Sequence, residues 1–257
     1  MKTDFDNFLS LNPGAKGVMP HSRMRIPIED GFGGGAAAYD IGRRYSKLRF
    51  PRAAGGSSYV AADWTETKGG TGADIARAAG GILLTCGSSS TLNAGIQSLD
   101  QWTTPAADQW ITFMCRLSVS DITAVGFSVG IGNSQADPAT TDFTDGIYLR
   151  KPATTALVTG RVRGDSGTAA ATGTLATAVN NTDILIGFSA KLHATTPAGQ
   201  WVYGGTITPF TDAQLVQLIR FLTTPATLFM QLCAKGSAGN PTVLIQAADL
   251  QIDNADA

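Results

Sequence analysis

The run Trp110-Ile111-Thr112-Phe113-Met114-Cys115-Arg116-Leu117-Ser118-Val119 decides the fold class. Ile111, Phe113, Cys115, Leu117 and Val119 alternate with Thr112, Met114, Arg116 and Ser118. Successive side chains of a strand point to opposite faces, so this period of two puts one face in a core and turns the other outward. Val125, Phe127, Val129 and Ile131 repeat the pattern against Gly126, Ser128 and Gly130. Asp121 and its neighbours supply a turn between the two runs, which predicts a hairpin.

Outward from this pair, further short apolar runs occur at close spacing: Gly81 to Cys86, Gly146 to Arg150, Ala156 to Arg163, Ile184 to Leu192, Trp201 to Ile207, Leu228 to Ala234 and Thr242 to Ile252. Turn-forming stretches such as Asn180-Asn181-Thr182-Asp183 separate them. Many short strands with such gaps make an all-β sandwich or barrel. One helix interrupts the series. Thr211-Asp212-Ala213-Gln214 has the form of a capping box, and Leu215, Leu218, Ile219 and Leu222 recur at helical spacing before Pro225. The helix is expected to cover one end of the sandwich.

Residues 1–62 carry no sustained period, and we read them as an extended irregular arm on a body of residues 63–257. The arm contains Phe5, Phe8, Leu9, Leu11, Ile26, Ile28, Phe32, Tyr39 and Ile41, more apolar content than a solvated tail keeps. Such a segment orders by lying on something, either its own body or a partner.

Composition narrows the function. Only 15% of the 257 residues are charged, against about 25% in ordinary soluble domains. That suits a surface largely covered by neighbours, and self-association is expected. The net charge of −1 argues against nucleic-acid binding. Residues 1–60 hold nine Lys/Arg and five Asp/Glu, net +4, and residues 61–257 hold ten and fifteen, net −5. Cys86, Cys115 and Cys233 are far apart and lie in apolar runs, as small buried hydrophobes do. Acids in Met1-Lys2-Thr3-Asp4-Phe5-Asp6 stand where a signal peptide is apolar, so synthesis in a reducing cytoplasm is expected. No run is long and apolar enough for a membrane helix.

Catalytic constellations are not visible. The histidines, His21 and His193, read as solvated or structural, and Glu29 and Glu66 lie outside the patterned strands. No serine sits in a nucleophile elbow. The aspartates Asp137, Asp142 and Asp145 read as turn residues, with a calcium loop the competing reading. The chain is therefore expected to be no enzyme, with no cofactor and no metal. The strongest local signal is the basic stretch Arg43-Arg44-Tyr45-Ser46-Lys47-Leu48-Arg49-Phe50-Pro51-Arg52. Arg43, Arg44, Tyr45, Lys47, Arg49, Phe50 and Arg52 can grip an acidic protein surface, with aromatics filling pockets. The competing readings are packing on the protein's own acidic body and, against the net charge, a nucleic-acid arm.

Gly126-Phe127-Ser128-Val129-Gly130-Ile131-Gly132-Asn133, Asp145-Gly146-Ile147-Tyr148-Leu149-Arg150-Lys151, Ile184-Leu185-Ile186-Gly187-Phe188 and Ala248-Asp249-Leu250-Gln251-Ile252-Asp253 resemble virion proteins of tailed bacteriophages. The family meant is the one with a concanavalin-like (laminin-G-like) jelly roll, and the resemblance covers residues 63–257 through strand style and order. It implies an antiparallel β-sandwich, a place in the virion, and a capsid decoration protein anchored to the major capsid protein through the arm. The alternative is a glycan-binding, lectin-like module of a tail fibre or baseplate, for which Trp102, Trp110 and Trp201 are candidate platforms.

Overall fold

The computed structural model describes residues 44–49, 61, 64–78, 80–87, 94–103, 109–133, 143–165, 170–224, 226–236 and 239–253. Fifteen strands and one helix are arranged in the order β1 (Arg44–Arg49), β2 (Trp64–Lys68), β3 (Asp74–Ala78), β4 (Gly81–Thr85), β5 (Ala94–Thr103), β6 (Gln109–Val119), β7 (Val125–Gly132), β8 (Gly146–Lys151), β9 (Leu157–Arg163), β10 (Ala171–Thr177), β11 (Ile184–Leu192), β12 (Ala198–Tyr203), β13 (Thr206–Pro209), α1 (Asp212–Thr223), β14 (Thr227–Gly236) and β15 (Thr242–Asp253) among the described residues. They build an eight-stranded sheet, β13-β12-β11-β6-β15-β4-β3 with β1 also on β15, and a seven-stranded sheet, β10-β9-β8-β7-β14-β5-β2. Neighbouring strands in both are antiparallel.

The alternation read from the sequence is what joins the sheets. Phe113, Phe188, Trp201 and Leu250 stand in register across β6, β11, β12 and β15 and face the core. Phe127, Val129, Ile131, Ile147, Leu149 and Leu232 face it from the other sheet. Each such side chain contributes about 1.5–3 kcal/mol through burial, and rings add directional contacts. Phe188 meets Trp201 edge-on at 5.9 Å, and Trp201 stacks on Phe210 at 4.5 Å.

The helix begins at the capping box: Thr211 accepts from Gln214 N–H, and the Gln214 side chain accepts from Thr211 N–H at 3.0 Å. The buried stripe is Gln214, Gln217, Leu218 and Phe221. Leu215 and Leu222 of the expected leucine stripe pack against the core beside it, and Gln214 and Gln217 are drawn inward by hydrogen bonds. Gln214 bonds Trp201 Nε1 and the Gly160 carbonyl, and Gln217 accepts from Gly164 N–H.

Two expectations change, and Arg44–Arg49 takes one of the courses left open for the arm. β6 and β7 form no hairpin, since they lie in opposite sheets, and the turn at Asp121 is an arch between them. Asp121 Oδ1 still accepts from Thr123 and Ala124 N–H, as a turn aspartate does. The single run from Trp201 to Ile207 is two strands, β12 and β13, around Gly204 and Gly205 at φ +54° and +89°. Positive φ at both central residues is what a two-residue hairpin needs, and only glycine adopts it without strain. Arg44–Arg49, placed in the arm, pairs with Ala247–Ile252 of β15 and prolongs the sheet beyond β4.

Candidate functional site

The outward face of the seven-stranded sheet is polar across its whole width. One row in register runs Thr172, Arg161, Tyr148, Gly130, Gln231, Gln97 and Thr65, across β10-β9-β8-β7-β14-β5-β2. The next row, about 7 Å along the strands, runs Thr174, Thr159, Arg150, Ser128, Cys233, Gly95 and Thr67. Alternation dictates the direction: Phe127, Val129, Leu149 and Leu232, one residue away in each strand, are core residues.

Where the rows cross β7, glycine lets neighbouring groups approach the strand closely. A Cβ on Gly130 would fall 2.4 Å from the Ile147 carbonyl oxygen, and one on Gly132 would fall 2.7 Å from the Phe143 ring. Phe143 lies in that space and meets Tyr148 edge-on at 4.4 Å and 62°. The two rings pack against each other, and both are buried. Asn133 and Asp145 clasp the ends of β7 and β8: Asn133 Nδ2 donates to Asp145 Oδ2 at 3.0 Å, and Asp145 N–H donates to Asn133 Oδ1 at 3.1 Å.

The floor carries acceptors that the protein leaves unmet. Gln231 Nε2 donates to Gln97 Oε1 at 2.8 Å and to the Gly132 carbonyl at 3.3 Å. That fixes the amide, and its Oε1 is buried without a donor; so is Ser128 Oγ in the neighbouring row. A buried polar atom without a partner costs about 1–3 kcal/mol, so two on one face need a reason.

The charged groups here are mainly cationic: Arg150, Arg161 and Arg163 from β8 and β9 and Lys235 from β14. Arg163 donates to the Phe143 carbonyl at 3.3 Å, tying the aromatic pair to β9. Desolvation pushes the Asp145 carboxyl above its usual range, against the pull of Arg163 and with the push of Asp165. Neither row contains a carboxylate or a histidine.

The residues singled out from sequence fall elsewhere. Trp201 is core, and Trp110 lies on the outward face of the other sheet at 8% exposure; Trp102 is in β5. His193 Nδ1 accepts from Thr195 and Thr196 N–H at 3.1 and 2.9 Å, which closes the β11–β12 turn. Cys86, Cys115 and Cys233 are buried thiols, and burial pushes Cys86 up to about 12. No group of His, Cys, Asp or Glu among the described residues could hold a metal ion. Asp137 and Asp142 of the aspartate loop lie outside the described residues, as does His21. Arg44, Tyr45, Lys47 and Arg49 lie in β1, and Arg43, Phe50 and Arg52 lie outside the described residues. Tyr148, Ser128 and Gln231 were assigned no binding role from the sequence. Their one signal was a polar residue at the outward position of strands whose other face is apolar.

No protein-family model matches the chain, and no curated protein matches it in sequence. Solved structures do match in fold. The carbohydrate recognition domain of Emp47p aligns with TM-score 0.52 and 13% identity, covering 82% of this chain and 95% of that one. Peanut lectin with a nine-residue peptide aligns with TM-score 0.52 and 9% identity, covering 84% and 99%. A variant of the Emp46p carbohydrate recognition domain aligns at 0.50 and 11% identity, covering 74% and 88%. The fold is therefore the concanavalin-like jelly roll that the strands resemble. Nothing in these likenesses points to phage virion proteins.

Proposed function

We propose that this chain is a non-enzymatic, glycan-binding module of lectin-like fold, and that the outward trough of the seven-stranded sheet holds the sugar. The observation that carries this is the pair of buried acceptors without donors, Gln231 Oε1 and Ser128 Oγ, on the floor beside Tyr148. Sugar hydroxyls are donors that such acceptors lack, and a sugar's apolar faces pack on aromatic rings. Arg150, Arg161 and Gln97 border the same floor and supply the donors for ring and hydroxyl oxygens. Two of the likenesses in fold are to carbohydrate recognition domains, which supports the reading by analogy of architecture only.

Among the functions weighed from sequence, this is the lectin-like module rather than the capsid decoration protein. A tail fibre or baseplate is the virion setting that would use a glycan-binding face. The test is a glycan array probed with the full chain and with Gln231→Leu and Ser128→Ala. Binding to a defined set of glycans, lost in Gln231→Leu and weakened in Ser128→Ala, is expected. Binding that neither variant alters, or none to any glycan, overturns the proposal.

A further inference from the structure

The outward face of the seven-stranded sheet is sorted by charge as well as by polarity. Beyond the two rows already traced, the row at one end runs Arg163, Gly146, Gly132 and Phe229, and the row at the other end pairs Gly126 with Lys235. Four consecutive rows thus hold one cation each: Arg163, Arg161, Arg150 and Lys235. Successive rows are about 7 Å apart, so the cations form a diagonal stripe about 20 Å long, from β9 through β8 to β14. Among the described residues no carboxylate stands in these four rows. Asp145 and Asp165 lie beyond the Arg163 end, and Arg220 holds Asp165 at 3.1 Å. Residues 61–257 carry ten Lys/Arg against fifteen Asp/Glu, yet four of the ten gather on this face. The outward face of the eight-stranded sheet shows no such sorting: Arg116 and Lys191 share it with Asp249 and Asp183, and Asp183 is 3.9 Å from Arg116.

We propose that the glycan held on this face is a linear acidic one, with a carboxylate or sulfate on successive sugars; the inference rests on the glycan-binding reading and narrows its ligand. Arg161 and Arg163 are partly exposed, and two residues apart on one strand they stand about 7 Å from each other. The planar guanidinium fork matches a carboxylate or a tetrahedral oxyanion. Arg161 Nε donates to Thr159 Oγ1 and Arg163 to the Phe143 carbonyl, both at 3.3 Å, and these bonds hold the two forks in place. Arg150 and Lys235 are buried and add to the field from beneath, where a low dielectric extends it. The unmet acceptors lie across the sheet from the arginines: Gln231 is three strands from Arg161 in the same row, about 14 Å away. One sugar ring does not span that distance. A chain of sugars does, with its acidic groups toward β9 and its hydroxyls toward Gln231 Oε1 and Ser128 Oγ. A nucleic acid is the other linear polyanion, and it is held by a series of exposed rings on which successive bases stack. Of the described rings in these rows and beside them, Phe143 and Tyr148 are buried against each other and Phe229 alone is partly exposed.

The test measures binding of the full chain to four ligands: a polyuronate oligosaccharide, the same oligosaccharide with its carboxyls reduced to hydroxyls, a sulfated glycan of equal length, and single-stranded DNA. The polyuronate or the sulfated glycan is expected to bind about tenfold or more tightly than the reduced one, the equivalent of one charge-assisted hydrogen bond. The tighter of the two identifies the acidic group. Raising salt from about 50 to about 500 mM should weaken the acidic ligand several-fold and leave the reduced one unchanged. Arg161→Gln and Arg163→Gln should each weaken the acidic glycan several-fold and spare the reduced one, whereas Lys68→Gln, on β2 outside the stripe, should change neither. Equal binding of the acidic and reduced glycans overturns this inference and leaves the glycan-binding reading standing. Binding of no glycan overturns both. DNA bound at least as tightly as either acidic glycan, or arginine variants that bind as the native chain does, also overturn the inference.

Discussion

Gln231 and Gln97 meet across β14 and β5 with Nε2 to Oε1 at 2.8 Å, and this contact leaves the buried Gln231 oxygen with no donor. Gln231→Leu deletes two hydrogen bonds, worth about 0.5–1.5 kcal/mol each, and also deletes an unmet acceptor costing about 1–3 kcal/mol. The two effects oppose each other, so stability should move by no more than about 1 kcal/mol. Ligand affinity should fall by about tenfold or more. Urea denaturation and titration with a glycan from the array separate the two; a large loss of stability would mark Gln231 as structural.

Gln214 should behave in the opposite way. Its side chain closes the capping box, accepts from Trp201 Nε1 at 3.2 Å and donates to the Gly160 carbonyl at 3.0 Å, all inside the core. Gln214→Ala leaves the indole N–H and that carbonyl unmet and opens a void. A destabilisation of about 2–4 kcal/mol is expected, with glycan affinity unchanged in the fraction that stays folded. Calorimetry measures the first and titration the second.

The contrast between these glutamines shows what could be read in the chain. Gln214 was legible because a capping box is local: Thr211 and Gln214 are three residues apart. The core faces of β6, β7 and β11 were legible for the same reason, as period two is a property of one segment. Gln231 was not, because its meaning depends on Gln97 and Gly130, distant in sequence and adjacent only after β5, β7 and β14 pair. The arch at Asp121 escaped likewise, since two consecutive amphipathic strands show one pattern whether they pair or face each other across a core. β10, Ala171–Thr177, escaped because an edge strand with few buried residues has little apolar signal to give.

Lys151 should make stability rise with pH on the alkaline side. Its ammonium lies in the interior and donates to the carbonyls of Ile122, Val125 and Pro152. Burial, opposed by the Asp121 carboxylate, pulls its pKa down to about 8 from 10.5. Between those values the unfolded chain holds the proton and the folded chain has released it. The unfolded state binds more protons, so stability increases with pH through this window. Tyr203 acts oppositely, because burial raises its pKa above 10.0, and its effect starts only near that pH. Urea midpoints from pH 7.5 to 10 should climb for the native chain relative to Lys151→Met. Parallel curves would mean that the lysine keeps its charge in the folded state throughout.

β1 joins the basic arm to the acidic body, and its register makes the junction testable. Lys47 stands opposite Asp249, which is 7% exposed, and Tyr45 stands opposite Gln251. Opposite charges facing each other across antiparallel strands stabilise by about 0.2–1 kcal/mol, and like charges there destabilise. Lys47→Glu should therefore loosen β1, and Asp249→Lys should do so as well, with an added cost from the poorly exposed site. The combination Lys47→Glu with Asp249→Lys should recover most of the loss, giving a favourable coupling energy in a double-mutant cycle. Amide exchange localises the effect, because β1 protects the edge of β15 from Ala247 to Ile252. In Lys47→Glu that edge should exchange faster while β4 and the Thr242–Ile245 half of β15 keep their protection. If the edge exchanges equally in the native chain and the variant, β1 is not docked on β15 in solution. Arg44, Tyr45, Lys47 and Arg49 would then be available to a partner, which is the role proposed for them from sequence.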